Sequence, residues 1–450
     1  MNNKKLPLLI AIIVVVIAIS AGLFYFISSR RGEGSQPSGG GPPGQTTGSQ
    51  TTLLYWGLWE PESVMQPLID EYESQNPNIK IEYINRSFTQ YEETSYARIV
   101  QGSTTGDPAP DILMINNTWL PKFQPYLSAL PTDIMPAAEY TGTFYQTCTD
   151  DFTGSDNQIY AIPLSIDGLA VFYNKNLLQE AGYSEPPQDW NTFIEAAKKM
   201  TVTNEAGEIT QSGVAMGTSN NVKHSADIFN LLLLQNNVEV ISETGDGLNA
   251  TLTGIKAQSA MNFYTDFIKE HNTWSSDLLW DLDLFYSGNL AMMFGPSWRA
   301  FDIMQAAPQL EFGIAPTPQL PNNPPVYYAM YWGHAVPETS ENSVEAWKFI
   351  KFLSEKEQMK QKFSNESKIR AFGEPYSRKD LAGELSDNPY AAPIVEMAPS
   401  MDAWVMGDQT YVEDSLRTAI NDVAVNNKNA SQALSDAEDR INSKLAELTQ

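Results

Sequence analysis

From Thr52 onwards, short apolar segments alternate with longer segments whose apolar residues recur at helical spacing. The segment "LLYWG" predicts a short strand, and Pro61–Asn76 places its apolar residues on one face of a helix. Next, "IKIEYI" alternates like a second strand, a helix covers about Tyr91–Gln101, and "DILMIN" predicts a third strand. Strands and helices that alternate in this way predict an α/β fold, with helices on the faces of a parallel sheet.

Two loops at the predicted carboxyl ends of these strands carry both tryptophans and polar groups. They are Trp56–Glu60, after the first strand, and Asn116–Trp119, after the third. Ligands of parallel sheets bind at the carboxyl ends of strands. We therefore expect exposed tryptophans and a ligand site at this edge of the sheet.

The later part of the chain repeats the mixture of helices and strands, over about Asn174–Phe312, and ends in helices after Ser343. Within it, the apolar segment Leu290–Phe294 runs into a Gly-Pro turn that is followed by Trp298. This tryptophan is either a core residue or a platform at the edge of a cleft. Other aromatic and apolar positions are typical of packing residues: Trp190, Trp274, Trp280, Trp347, and Leu434, Ala437, Ile441, Leu445 and Leu448 of a C-terminal amphipathic helix.

The N-terminus carries an uncharged apolar segment, Leu6–Ile27, flanked by two lysines and two arginines. At 1.5 Å per residue it is long enough to cross a hydrocarbon core of about 30 Å. A cleavable signal peptide is the alternative, since Ala18–Ser20 offers small residues, but the apolar segment exceeds a normal signal core. We expect a single-pass anchor in the cell membrane with the body of the protein outside.

The anchor is followed by Gly32–Gln50, which lacks any large apolar residue. Such a segment buries too little surface to offset the entropy of ordering and predicts a flexible linker. As a coil it would span roughly 25 Å on average.

Composition narrows the classes of function. A chain of 450 residues favours two lobes or domains over one core, and its net charge of −26 disfavours nucleic acid, whose phosphates require lysine and arginine. The single cysteine, Cys148, excludes an internal disulfide and a thiolate metal cluster. The three histidines are scattered without metal-ligand spacing, so we expect no metal and no cofactor.

Six segments in order along the chain resemble the solute-binding proteins of ABC importers, in the sugar-binding group typified by maltose-binding protein. They are "LLYWGLWEPESVMQPLIDEYESQNPNIKIEY", "DPAPDILMINNTWLPKF", "IYAIPLSIDGLAVFYNKNLLQEAGYSEPPQDWNTFIEAAKKMT", "FYSGNLAMMFGPSW", "FGIAPTPQLP" and "EAWKFIKFLSEKEQMKQKF". The resemblance implies a two-lobe periplasmic-binding-protein-like fold with a ligand cleft between the lobes. It also implies a monomeric, non-catalytic protein that delivers a sugar or oligosaccharide to permease subunits.

The resemblance also implies positions for the ligand. The first lobe-crossing strand matches Pro163–Asn174, with Asp167 as the ligand-facing acid, and the turn before Trp298 matches that of a stacking tryptophan. Sugars present C–H faces to aromatic rings and hydroxyls to carboxylates and amides. The candidate ligand-binding residues are Trp59, Glu60, Thr118, Trp119, Asp167, Tyr173, Trp298, Tyr331, Trp332, Tyr376 and Trp404.

The N-terminal pattern and the resemblance together divide the chain into three regions. We expect an anchor at 1–31, a linker at 32–51 and a solute-binding domain at 52–450, with lobe 1 at 52–165 and 316–355 and lobe 2 at 166–315 and 356–450. The lobes are expected to close on a ligand about the crossing segments Pro163–Ala170 and Ala315–Pro318.

Other functions remain open from the sequence alone. The 54 carboxylates could be paired as in a glycoside hydrolase, although no nucleophile elbow or phosphate loop is present. A ferric-ion binder would use tyrosines, and "VYYAMYW" supplies several. Binders of glycerol phosphate or peptide are further alternatives, but the matched loops offer no basic residue for a phosphate.

Overall fold

Two sheets, each covered by helices, form the centre of the part of the chain that the computed structural model describes, residues 50–103, 108–244 and 247–448. In the first sheet, Thr51–Leu58 pairs in parallel with Ile79–Arg86, and Tyr55 bridges in parallel to Ile112, next to the strand Leu113–Asn116. These contacts confirm the predicted parallel arrangement. The sheet is nevertheless mixed, because Trp332–Pro337 pairs antiparallel with three strands: Leu113–Asn116, Leu127–Ser128 and Ile162–Pro163.

The second sheet has five strands. Its order is Phe312–Ala315, Ala170–Asn174, Leu290–Gly295, Ile209–Val214 and Val202–Thr203. Smaller pairs are the antiparallel pair of Ile241–Thr244 with Gly247–Ala250 and the parallel pair of Tyr327–Tyr328 with Met401–Asp402. The two main sheets are the centres of the two lobes.

Helices cover both sheets. The α-helices span Glu62–Gln75, Tyr91–Gln101, Leu120–Phe123, Ala137–Thr143, Gln146–Phe152, Lys175–Glu180, Trp190–Met200, Ser225–Gln235, Ile255–Lys269, Asp281–Tyr286, Arg299–Ala306, Ser343–Leu353, Lys356–Glu366, Ala392–Met397, Gln409–Ala424 and Ala430–Leu448. Short 3₁₀ helices span Gln124–Tyr126, Lys379–Leu385 and Ala398–Ser400.

Most of the predicted packing residues lie in the core. Trp190, Trp274 and Trp347 are buried, and so are four of the five apolar residues named on the C-terminal helix, while Leu448 is partly buried. The prediction that Trp280 lies in the core is wrong, because its side chain is 46 % exposed. Trp280 is the residue before the short helix Asp281–Tyr286, and its ring lies on the surface.

The chain crosses between the lobes on adjacent segments. Leu169 N donates to Tyr328 O (2.9 Å), and Met330 N donates to Asp167 O (2.9 Å). Beside them, Ile166 N donates to Pro375 O (2.9 Å). The first crossing therefore lies within the predicted Pro163–Ala170.

The second crossing lies later in the chain than expected. The resemblance places residues 316–355 in the first lobe, but Gln235, on a second-lobe helix, donates its side-chain amide to Pro318 O and Val326 O. Residues 318–326 thus contact the second lobe, and the crossing follows at Tyr328–Met330. Likewise, residues 356–450 are expected in the second lobe, but the helix Lys356–Glu366 packs against Glu62–Gln75 of the first.

The predicted anchor Leu6–Ile27 and nearly all of the predicted linker lie in residues 1–49, outside the described residues. Among the helices that the structure describes, from residue 50 onwards with two short gaps, none has the length and apolar content needed to cross a bilayer.

Candidate functional site

Three aromatic rings form an exposed cluster at the carboxyl ends of the first-lobe strands. Trp59 follows Thr51–Leu58 and is 44 % exposed, and Phe88 follows Ile79–Arg86 and is 58 % exposed. Their ring centroids lie 5.7 Å apart, and the edge of half-buried Trp332 contacts both, at 5.0 Å from Trp59 and 6.1 Å from Phe88. We call these three residues the first-lobe platform.

The backbone of Trp59 adopts a left-handed conformation, with φ of 60°. For a bulky L-residue this region costs roughly 1–2 kcal/mol relative to the right-handed one. Strain of this kind persists where the surroundings impose it, which is common at binding sites. Here it turns the chain sharply at the end of the strand and leaves the indole on the surface.

Substitutions at Trp59 test whether the backbone is strained there. Glycine at position 59 removes the left-handed penalty, whereas alanine keeps it. We expect Trp59→Gly to be about 1 kcal/mol more stable to urea than Trp59→Ala, with both weakened in binding. Equal stability of the two variants would show that the backbone at this position is not strained.

The second predicted loop lies beneath this platform rather than on the surface. Trp119 is only 2 % exposed, because its ring lies 4.9 Å from that of Trp332 and its Nε1 donates to Gln409 Oε1 (3.0 Å). Thr118 is also buried, with its Oγ1 donating to Asn116 Oδ1 (2.9 Å). These two candidates support the platform from behind.

A second exposed tryptophan lies on the other lobe. Trp298 is 44 % exposed, and the Arg299 guanidinium lies 4.2 Å from its ring centroid, over one face. The ring is therefore held on one side, and much of its surface remains open to solvent. The preceding strand Leu290–Gly295 is fully buried and gives the turn a rigid base.

Asp167, on the crossing segment, fixes the turn that carries Trp298. Its carboxylate accepts from Ser297 N (3.0 and 3.1 Å to the two oxygens), from Ser297 Oγ (2.9 Å) and from Gly168 N (2.8 Å). Burial raises the pKa of Asp167 to about 7, although these hydrogen bonds favour the charged form. The acid joins the crossing segment to the second lobe.

Glu60 is held in a buried cluster of charges. Its Oε1 lies 2.9 Å from Arg370 Nη2, and burial raises the pKa of Glu60 to about 7. Ligand atoms of Glu60, Glu366 and Glu374 lie within 4.8 Å of one another, a spacing that could hold a metal ion. The Lys362 ammonium, which contacts Glu366 and lies 2.8 Å from Glu374, already supplies a cation there. We call these five residues the charge cluster.

The remaining candidates are buried in the packing around the crossing segments. Tyr376 lies 5.3 Å from the ring of Phe363, and Trp404 Nε1 donates to Asn230 Oδ1 (3.1 Å). Tyr173 is 7 % exposed, and its ring packs against Gly313. A ligand could contact these side chains only if they became more exposed than they are here.

Tyr331 points away from the platform to a buried acid. Its hydroxyl donates to Asp151 Oδ2 (2.6 Å), which also accepts from Asn117 Nδ2 (3.1 Å) and Thr147 Oγ1 (3.2 Å). Burial raises the pKa of Asp151 from 3.8 to about 7. All four residues are buried and bond within the protein, so we assign this network to packing and not to ligand binding.

The Asp151 network predicts a pH dependence of stability. Between pH 4 and 7 the folded state keeps a proton on Asp151 that the unfolded state has lost, so the stability contributed by this group falls as the pH rises. Asp151→Asn cannot titrate. We therefore expect its thermal midpoint, relative to that of the unchanged protein, to rise from pH 4 to pH 7. A constant difference would contradict the raised pKa of Asp151.

Sequence reasoning missed two features of the site. Phe88 had a signal, since it follows the carboxyl end of a strand in a polar turn, as Trp59 does. His224 had none: its Nδ1 lies 2.8 Å from Asp227 Oδ2, and Arg299 Nε donates to its Nε2 (3.3 Å). The ring therefore connects the Arg299 side chain next to Trp298 with Asp227 on the helix Ser225–Gln235.

Comparisons with known proteins agree with this architecture. The family of bacterial extracellular solute-binding proteins matches residues 57–360. A curated relative, the maltooligosaccharide ABC transporter solute-binding lipoprotein of Streptococcus pneumoniae (strain R6), is 24 % identical over 301 residues, 64 % of this chain and 67 % of the relative.

Two solved structures share the fold over most of both chains. A cyclo/maltodextrin-binding protein complexed with maltotetraose has a TM-score of 0.72 at 18 % identity, covering 89 % of this chain and 98 % of that one. A Mycobacterium tuberculosis protein in complex with glycerophosphocholine has a TM-score of 0.68 at 18 % identity, covering 89 % and 99 %. These likenesses establish the two-lobe α/β fold.

Proposed function

The chain belongs to the family of bacterial extracellular solute-binding proteins, and from this premise we propose that it captures a sugar or oligosaccharide between its two lobes for an ABC importer. The observation that carries the proposal is the pair of exposed aromatic surfaces, one on each lobe. The first-lobe platform is tied to the crossing region through Glu60 and Arg370, and Trp298 is tied to it through Ser297 and Asp167. We propose that both surfaces border one cleft between the lobes.

Aromatic rings at a cleft suit sugars for a physical reason. The C–H faces of a pyranose pack on the faces of indole rings, while its hydroxyls exchange hydrogen bonds with nearby polar groups. Asp167 bonds Ser297, the residue before Trp298, and His224 bonds Arg299, the residue after it, so both side chains help to position the ring. We propose direct stacking contacts from Trp59, Phe88, Trp332 and Trp298, with Trp119 and Thr118 as their support.

The charges near the aromatic surfaces favour a neutral ligand over a phosphorylated one. Arg299 Nη1 lies 2.8 Å from Asp302, and Arg370 lies 2.9 Å from Glu60 and 3.0 Å from Glu366. Arginines that are already paired in this way attract a phosphate weakly. We therefore rank sugars above glycerol phosphate compounds, although a protein of the same fold was solved with glycerophosphocholine.

A calorimetric panel tests the proposed function. Mono- and oligosaccharides, glycerophosphocholine, ferric citrate and short peptides are titrated in turn, and the same sugars are assayed for new reducing ends. We expect at least one sugar to bind and to raise the thermal midpoint by mass action, with no hydrolysis. Binding confined to a non-sugar compound, or release of reducing ends, would overturn the assignment to sugar capture.

We also propose that the protein acts as a monomer tethered outside the cell membrane by residues 1–31, from where it delivers its ligand to permease subunits. The uncharged segment Leu6–Ile27 supports the tether. We expect the full chain to stay with membranes after alkaline carbonate washing, whereas a chain that starts at Thr51 is released. A native N-terminus near Ala21 would contradict the anchor, since it would mean that the segment is cleaved.

A further inference from the structure

Arg370 lies where the first lobe meets the crossing segments. It follows the helix Lys356–Glu366, and its backbone N donates to Glu366 O (3.0 Å). Its Nη2 lies 2.9 Å from Glu60 Oε1 and 3.0 Å from Glu366 Oε1. Because Glu60 is the residue next to Trp59, this guanidinium holds the end of the strand that carries the first-lobe platform.

The same guanidinium contacts the second lobe. Its Cζ lies 5.3 Å from the ring centroid of Phe301, on the helix Arg299–Ala306. Phe301 N donates to Trp298 O (3.0 Å), so the ring lies one turn from the exposed tryptophan. Phe372, two residues after Arg370, adds a ring contact to Phe301 at 4.6 Å.

The contact between Arg370 and Phe301 lies close to the crossing segments. The chain runs from Arg370 directly to Pro375 and Tyr376, which bond to the crossing segment at Ile166 and Ser165. A contact so close to the crossing segments moves little when lobes rotate about them, and it can serve as a pivot.

We propose that Arg370 is a positioning residue, a pivot that sets the first-lobe platform relative to Trp298 by bonding Glu60 of one lobe and covering Phe301 of the other. Arginine suits both tasks, because its planar group bonds a carboxylate in its plane and stacks on a ring with its face. Lysine keeps the charge but lacks that face. The role in sugar binding rests on the proposed function, whereas the interlobe contact exists without a ligand.

The test measures the distance between the lobes in the ligand-free full chain. Spin labels are placed at Glu82→Cys on the first lobe and Ile255→Cys on the second, both at exposed positions. The native Cys148 is fully buried, which raises the pKa of its thiol and keeps it unreactive. Double electron–electron resonance then gives the distribution of interlobe distances.

We expect Arg370→Lys to broaden this distribution and to shift it to longer distances. The matched control is Arg378→Lys, because Arg378 bonds Asp380 (3.0 Å) and Ser354 O (3.0 Å) and lies away from the Phe301 ring. The control is expected to keep the narrow distribution.

Two results overturn the proposal: an unchanged distribution in Arg370→Lys, or equal broadening in both variants. If Arg370→Lys does not fold, Phe301→Leu replaces it, because it removes the ring face without altering the charge cluster. We expect Phe301→Leu to broaden the distance distribution in the same way. A distribution that does not broaden in Phe301→Leu also overturns the proposal. A sugar panel without any binding would contradict the proposed function. The proposal that Arg370 is a pivot is tested by the interlobe distances alone.

Discussion

Replacing Trp298 by alanine is expected to weaken sugar binding by about 1–3 kcal/mol, which is roughly a 5- to 150-fold rise in Kd. The ring is 44 % exposed, so its removal leaves no cavity in the core. Folding stability should therefore change little while affinity falls. Calorimetry with the tightest-binding sugar of the panel measures the first effect, and urea unfolding measures the second.

A matched control for this variant is Ile255→Ala. Ile255 is 80 % exposed and begins a second-lobe helix, so its truncation also removes exposed apolar surface, but away from the aromatic surfaces of the cleft. We expect the control to bind normally. If Trp298→Ala instead unfolds, and the protein that remains folded binds with full affinity, Trp298 is a packing residue and not a platform.

Replacing Lys362 by methionine is expected to cost about 3–5 kcal/mol of folding stability, the largest change predicted for this protein. The Lys362 ammonium contacts Glu366 and lies 2.8 Å from Glu374, and its side chain is 9 % exposed. Methionine has a similar shape but no charge, so Glu374 loses its bonded ammonium and Arg370 remains as the one cation for the three glutamates of the charge cluster. The free energy of unfolding in urea measures the loss.

Lys428→Met is the control for this second variant. Lys428 also bridges two carboxylates, Asp422 (3.0 Å) and Asp436, but on the protein surface. Water compensates exposed charges, so the control should unfold at nearly the same urea concentration as the unchanged protein. Equal losses in both variants would mean that burial of the charge cluster does not matter for stability.

The sequence predicted those helices and strands whose hydrophobic pattern matches the contacts that they make in the folded chain. The helix expected over Pro61–Asn76 spans Glu62–Gln75, and "LLYWG" lies in the strand Thr51–Leu58. The sequence pattern did not predict that the strand Trp332–Pro337 joins the first sheet. This antiparallel strand lies more than 200 residues after its neighbour Leu113–Asn116. Its pairing depends on contacts between distant parts of the chain.

Some candidate site residues were also predictable from local sequence, and others depend on distant contacts. Trp59 follows the end of a buried strand, and that position predicted exposure, whereas for Trp298 the pattern left a core position open and the resemblance favoured a platform. Trp119 follows a strand end too, but it is covered because Gln409, 290 residues further on, accepts a hydrogen bond from its Nε1. Glu60 looked like a ligand contact, yet Arg370, 310 residues later, holds it in the charge cluster. Such partners become visible only in the folded chain.

The most direct test of a sugar bound between two lobes is small-angle scattering. The chain that starts at Thr51 is measured without ligand and with a saturating amount of the tightest-binding sugar of the panel. A ligand that contacts both lobes shifts the population toward the closed form, so we expect the radius of gyration to fall. An unchanged radius of gyration at saturation would contradict capture between the lobes.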